Sequence, residues 1–341
     1  MSLAFRSDAC RSRPLLDAEV KAAEILGGTL IGGRPSAPPA HRWPVQTVVA
    51  PLLGYPGEAV HEQWISAGDC HPGEFEGIAF RCSREVLFGV IELDEQAFST
   101  TGRESALQQA TGEAYRRIFR LLAAQELPHL WRVWNYLADI NGETNGLERY
   151  RQFNIGRHDA FAACARAATG DVPAACTIGL PQGPLSIAFL AGRMPVQPVE
   201  NPRQVSAYHY PMEYGPRSPT FSRAVLVTLP ERECLFISGT ASIVGHRTVH
   251  LGDIFGQTRE ALANVEAVLA EANRLSHRTT FTLGGLAYRV YIRHAEDFPV
   301  VRDLLSAPMG TAAVLFVQAD ICRKDLLVEI EAVAVNVPGS P

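Results

Sequence analysis

From residue 77 onward, the apolar positions run through one order twice. In the first half, 77–81 and 86–93 are apolar runs separated by a short turn and read as strands. Leu107, Ala110, Tyr115, Ile118, Leu121 and Leu122 recur at helical spacing within 104–126, which predicts a helix. Residues 130–137, rich in aromatic and branched side chains, predict a strand. A helix over about 147–168 follows, and the strands 174–180 and 185–191 close the half. The second half keeps this order. It has strands at 222–229 and 233–238, a helix at 257–275 with Leu262, Val265, Val268 and Leu269 on one face, and a strand at 286–293. A short helix at 297–306 and strands at 312–317 and 326–335 complete it. Each half therefore reads β-β-α-β-α-β-β.

Local echoes fall in the same order. Arg84-Glu85-Val86-Leu87-Phe88 is matched by Arg232-Glu233-Cys234-Leu235-Phe236, and Arg132-Val133-Trp134 by Arg289-Val290-Tyr291. The expected fold is α+β: two tandem copies of a unit with helices on one face of a sheet. The expected divisions are an N-terminal unit at 46–200 and a C-terminal unit at 201–341. Residues 1–45 read as an irregular covering arm, because Gly27-Gly28 and Gly32-Gly33 punctuate its apolar stretch and Pro35, Pro38, Pro39 and Pro44 follow.

Composition narrows the function classes. The chain has 341 residues, 47% hydrophobic and 20% charged, which suits two folded domains rather than a disordered chain. A net charge of −5 gives no footprint for nucleic acid. No apolar run approaches the roughly 18–20 residues of a membrane helix, and the first residues lack the apolar core of a secretory signal. The seven cysteines are odd in number and contain no Cys-x-x-Cys, so neither a disulfide framework nor a zinc ribbon is indicated. These features together predict a reduced, cytoplasmic protein that binds neither nucleic acid nor membrane. No Walker loop, Gly-x-Gly-x-x-Gly or Gly-x-Ser-x-Gly elbow occurs. His246 and His250 are four apart, but Gly245, Thr248, Val249 and Gly252 oppose a helix there and no third ligand is evident, so no metal is expected.

Three segments carry more polar and aromatic residues than folding requires. In Glu148-Arg149-Tyr150-Arg151-Gln152-Phe153-Asn154-Ile155-Gly156-Arg157, a helix would put Tyr150 and Arg157 two turns apart on one face. The Tyr208–Pro219 stretch, followed by Arg223, is a loop with three tyrosines. In the last strand, alternation puts Glu329 and Glu331 on one face with Leu327 and Val333. Two readings of these carboxylates stay open: a solvated half-face, or a buried proton donor whose pKa burial has raised.

These segments resemble the chorismatase family. The resemblance runs, in order, through Arg132–Tyr136, Tyr150–Arg157, Ser206–Pro211, Phe221–Ala224, Ile237–Ser242, Asp320–Arg323 and Glu329–Glu331. It is nearest to the bacterial 3-hydroxybenzoate synthase branch, which includes the bifunctional enzyme of the xanthomonadin pigment pathway. It implies a RidA (YjgF)-like, chorismate-mutase-like fold for each unit and conversion of chorismate to 3-hydroxybenzoate and pyruvate, with 4-hydroxybenzoate as a second product. It also implies Glu329 as the acid that protonates the enolpyruvyl methylene, and Cys322 as a catalytic-pocket residue of the aromatic-product branch. Tyr150, Arg157, Tyr210, Arg223, Gly239 and Thr240 would bind the substrate, without metal or organic cofactor, in a monomer or small homo-oligomer. The arginine with which RidA enzymes hold an imino-acid carboxylate has no counterpart in 312–317. Two rival functions are hydrolytic cleavage to a dihydroxycyclohexadiene carboxylate, and a silent RidA-like protein that binds a small carboxylate.

Overall fold

A strand that is apolar on both faces must be covered on both, and 86–91, the apolar part of the strand at 86–93, shows how this chain does it. Val86, Phe88 and Val90 join one core, while Leu87 and Ile91 join another. A computed structural model describes residues 3–7, 21–33, 42–55, 59–98, 102 and 104–336. It contains three main sheets. The first is built from β1 (Leu3–Ser7), β2 (Ile25–Gly32), β3 (Val45–Val49) and β4 (Ala59–Ser66).

The second sheet takes β5 (His71–Phe75), β6 (Ile78–Cys82) and β7 (Val86–Leu93). Helix α1 (Ala106–Ala124) and β8 (His129–Ala138) follow, then a small hairpin of β9 (Glu143–Thr144) and β10 (Leu147–Glu148) that leads into α2 (Arg149–Ala163). Strands β11 (Ala174–Leu180) and β12 (Leu185–Gly192) close the unit. Ser105 caps α1 by accepting from Gln108 N–H at 3.1 Å.

The third sheet takes β13 (Gln197–Val199), β14 (Ala224–Thr228) and β15 (Glu233–Ala241). A hairpin of β16 (Ile243–Val244) and β17 (Arg247–Thr248), α3 (Ile254–Leu275), β18 (Ala287–Ile292), α4 (Phe298–Met309), β19 (Ala313–Gln318) and β20 (Val328–Asn336) complete it. Read from one edge, the two six-stranded sheets run β11-β8-β12-β7-β6-β5 and β19-β18-β20-β15-β14-β13. These are the same arrangement, down to the single parallel edge pairs β8–β11 and β18–β19. The duplicated pattern in the sequence is thus a duplicated topology, and the echoed motifs Arg132-Val133-Trp134 and Arg289-Val290-Tyr291 stand on the equivalent strands β8 and β18.

Helices α1 and α2 cover the outer face of one sheet, and α3 and α4 that of the other. The inner faces meet each other and the N-terminal sheet in a shared core that includes Trp64, Trp134, Phe88 and Phe236.

The arm expected over 1–45 is corrected in part: β1 and β2 lie within it and pair with β4. The glycines there permit close packing rather than breaking a strand. A side chain at Gly28 would meet the Glu62 carbonyl at 1.9 Å, and one at Gly27 the Phe88 ring at 2.2 Å. Pro35, Pro38 and Pro39 lie outside the described residues.

Candidate active site

The cavity that concerns function, about 550 Å³, opens between the two units. Its floor is β20. Alternation along this strand sends Ile330 and Ala332 into the helix-side core and turns Glu329 and Glu331 toward the inner face. Room for Glu329 is made by β15. Between Ile237 and Thr240 that strand carries one residue more than its partner, a bulge that leaves Gly239 against the carboxylate. A side chain on Gly239 would come within 1.8 Å of Glu329 Oε1.

The two carboxylates differ sharply in surroundings. Glu331, 3% exposed, accepts from Arg132, from Arg289 Nη1 at 3.3 Å and from Tyr291 OH at 3.1 Å. Glu329, 4% exposed, has no ion-pair partner and no side-chain hydrogen bond among the described residues. Burial pushes its carboxyl up to about 8; the neighbouring Glu331 charge pushes the same way, and Arg132 offsets part of it. Glu329 is therefore protonated near neutral pH and wet on one side by the cavity. Burial also pushes the Cys322 thiol up to about 12, with the nearby Glu329 adding to the shift, so Cys322 is a neutral thiol and not a nucleophile. Tyr150 is held above the ordinary tyrosine range by burial.

Two arginines form the wall opposite. Arg223 Nη2 donates to Tyr210 OH and to the Val205 carbonyl, both at 2.7 Å. Arg323 Nη1 donates to the His246 carbonyl at 2.9 Å and to Thr248 Oγ1 at 3.2 Å. The two guanidiniums sit 5.4 and 5.3 Å from the Tyr210 ring, and Arg323 lies 4.1 Å from that of Tyr214. Each keeps one buried nitrogen without a partner, Nε of Arg223 and Nη2 of Arg323, and neither is ion-paired to a carboxylate among the described residues.

The loop carrying Cys322 and Arg323 is fixed from behind by Arg293. That guanidinium binds Asp320 and Asn141, the latter at 3.1 Å, and donates to the carbonyls of Ile321, Arg323 and Leu326 at 3.2, 2.8 and 2.8 Å.

Of the residues singled out from sequence, Glu329, Cys322, Tyr150, Tyr210, Arg223 and Gly239 line this cavity together. Two do not. Arg157 is off the cavity wall, 1% exposed, one layer behind Tyr150. It donates to Asn154 Oδ1 at 3.1 Å and sits 5.0 Å from the Phe153 ring. Arg157 and Tyr150 are two helical turns apart on α2, but Arg157 is buried, with its guanidinium over the Phe153 ring. Thr240 lies on the other face of β15: it pairs with Ile330, and its hydroxyl donates to the Ser238 carbonyl at 2.8 Å. Sequence reasoning missed Arg323 and Tyr214, which sit on loops where periodicity says nothing, although Arg323 adjoins Cys322. It also missed that the echoed Arg132 and Arg289 converge on Glu331. His246 and His250 lie in a hairpin and the turn after it, and no cluster of three metal-ligating side chains occurs among the described residues. Nor is any helix among them long and apolar enough to cross a membrane.

Comparison with known proteins agrees with this geometry. Residues 62–191 match the family model "Chorismatase FkbO/Hyg5-like, N-terminal", and 217–336 match "Endoribonuclease L-PSP". A 3-hydroxybenzoate synthase of Streptomyces hygroscopicus is 38% identical over 288 residues, 81% of this chain and 82% of that protein. A chorismatase of the same organism is 39% identical over 280 residues, covering 80% and 79%. A chorismatase crystal structure superposes with a TM-score of 0.85 at 34% identity, over 98% of each chain.

Proposed function

The chain belongs to the chorismatase family, and we propose that it converts chorismate to 3-hydroxybenzoate and pyruvate, a lyase reaction overall, with 4-hydroxybenzoate as a second product. The observation that carries this reading is Glu329: a buried carboxyl that keeps its proton near neutral pH, facing a cavity that also holds Arg223 and Arg323, each with a buried nitrogen lacking a partner. Chorismate is a small dianion. One carboxylate would meet Arg223 and Tyr210, the other Arg323, and the buried charge of Arg157 behind Tyr150 adds to the pull.

Cleavage of an enol ether begins with protonation at its methylene carbon. Glu329 supplies that proton, and the carboxylate it becomes stabilises the positive charge developing at the ether carbon. The hydroxyl on the adjacent ring carbon then displaces the ether oxygen, closing an epoxide as pyruvate leaves; the bond from its oxygen to the carbon that first bore it breaks, the carbon keeping the oxygen loses its hydrogen as a proton, and the ring aromatises with a proton returned to Glu329. Atoms balance without net water. Cys322, small and poorly hydrated, keeps bulk water from the activated ether.

Incubation with chorismate followed by chromatography tests the reading. An aromatic hydroxy acid with an equivalent of pyruvate is expected. A dihydroxycyclohexadiene carboxylate would make the enzyme hydrolytic, and absence of turnover would leave a carboxylate-binding protein.

A further inference from the structure

The strand-equivalent arginines Arg132 and Arg289 are both buried on the inner face, yet the two repeats supply only one carboxylate for them, Glu331. Across from Arg132 in its own sheet stands Leu190. The second carboxylate comes from outside the duplicated units. Glu62 of β4, 3% exposed, accepts from Arg289 Nε at 2.7 Å and from Nη2. Thr29 of β2 holds the same Nη2 at 3.2 Å, and Ser7 of β1 donates to Glu62 at 3.4 Å. Tyr136 and Tyr291 fill the remaining side, 2.7 Å apart. The result is a row of alternating charge, Glu62–Arg289–Glu331–Arg132, with no net charge, whose third member is two residues from Glu329 on the same face of β20.

We propose that Glu62 is a positioning residue for the proton on Glu329, acting from the N-terminal sheet through Arg289 and Glu331. This rests on the reading of Glu329 as the proton donor. The other groups facing Glu329 or its cavity are Tyr150 and Arg151 from α2, Glu143 of β9, Glu148 of β10, Tyr210, Tyr214 and Arg223 from the segment before β14, Cys322, Arg323, Lys324 and Asp325 from the loop after β19, Tyr291 of β18 opposite it in register, Cys176 of β11 and Arg132 of β8. Among them the positive charges are Arg223, Arg323, Lys324, Arg132 and Arg151, the last paired with Glu148. With Glu62 neutral, the row would carry one unit of positive charge, and Glu329 would give up its proton at lower pH. The N-terminal sheet thus keeps the acid charged with its proton while burying the arginine that would discharge it.

The test is difference infrared spectroscopy of the full chain against pH, following the carboxylic-acid C=O band that is lost in Glu329→Gln. In Glu62→Gln the titration of this band should move down by about one pH unit, the order expected of a buried unit charge acting across one ion pair. In Arg289→Met, which leaves Glu62 uncompensated, it should move up. The double variant, which removes the pair as a unit, should return it close to the wild-type position. A band that titrates unchanged in either single variant overturns the proposal, as does a double variant displaced as far as a single one. The readout needs no turnover. Near-normal activity of Glu329→Gln would defeat the proposed function, whereas an unmoved band beside an inactive Glu329→Gln would defeat only the role of Glu62.

Discussion

Strands β12 and β20 hold the same place in their sheets, each between the strand after the unit's first helix and that unit's long hairpin strand, yet they carry opposite chemistry. Opposite Arg132 and Trp134, β12 presents Leu190 and Ala188; opposite Arg289 and Tyr291, β20 presents Glu331 and Glu329. On the other flank, Val90 of β7 packs against Ala188, while β15 inserts an extra residue and leaves Gly239 beside Glu329. One unit fills the inner face with side chains and the other opens it. Two buried carboxylates are tolerated in the second unit for different reasons. Glu331 is compensated by an arginine from each repeat, and Glu329 keeps its proton. A duplicated scaffold can thus keep one copy as a rigid wall and spend the other on a reactive group.

The sharpest way to break this comparison is to substitute both strands. Glu329→Gln keeps shape but cannot donate a proton, so chorismate turnover should fall by about 10²–10⁴-fold with fold and binding retained. In the unsubstituted enzyme, kcat/KM should fall as pH rises through about 8, since only the protonated carboxyl is the donor. Leu190→Ala should do the reverse. Its cavity in the inter-sheet core should cost about 2–5 kcal/mol in thermal or denaturant unfolding, while the folded fraction turns over at a rate within a few-fold of normal. Loss of turnover in Leu190→Ala with melting unchanged would mean that the first unit is not a passive wall.

Much of this contrast is legible in the residues alone. Runs apolar on both faces, such as 86–91 and 185–191, announce strands buried on both faces, and the repeated order of elements announces the duplication. Alternation also places Glu329 and Glu331 on one face. It cannot say which keeps its proton, because that depends on Arg132 and Arg289 arriving from other strands. The resemblance names Gly239 and Thr240 together, but neighbours in a strand face opposite ways, so Gly239 and Ala241 line the cavity while the Thr240 side chain lies on the other face. The N-terminal strands were hidden because glycine, usually a breaker, serves there for close approach, and the pairing that reveals them joins residues far apart in sequence. Arg323 has no periodic signal at all, being fixed by Arg293 and two hairpin residues.

A smaller effect is expected from the cavity's second wall, which draws on both units less unequally. Arg223→Ala and Arg323→Ala should each raise KM for chorismate. A charge-assisted pair to a desolvated carboxylate contributes about 1.5–3 kcal/mol, or about 10–150-fold. Arg157→Ala, one layer back in the first unit, should act in the same direction by removing the buried positive charge beside Tyr150. Steady-state kinetics would place any arginine whose loss leaves KM and kcat untouched outside the substrate's reach.

The smallest change in rate, and the most informative in product, is expected at Cys322. Its side chain lines the cavity beside Glu329, packs against Ile321 and Leu326 on one side, and belongs to a loop that Arg293 holds in place. As a neutral thiol it contributes volume and poor hydration rather than charge. Once the methylene is protonated, the activated ether partitions between the ring hydroxyl and water. The ratio depends on whether a water molecule has space and partners at that point. Cys322→Ala removes the sulfur and opens that space without touching the proton donor. Pyruvate release should therefore fall only modestly while product shifts from 3-hydroxybenzoate toward the dihydroxycyclohexadiene carboxylate, a ratio that chromatography of the reaction mixture reads directly. An unchanged ratio at an unchanged rate would reduce Cys322 to a packing residue and move the control of water to the tyrosines and arginines across the cavity.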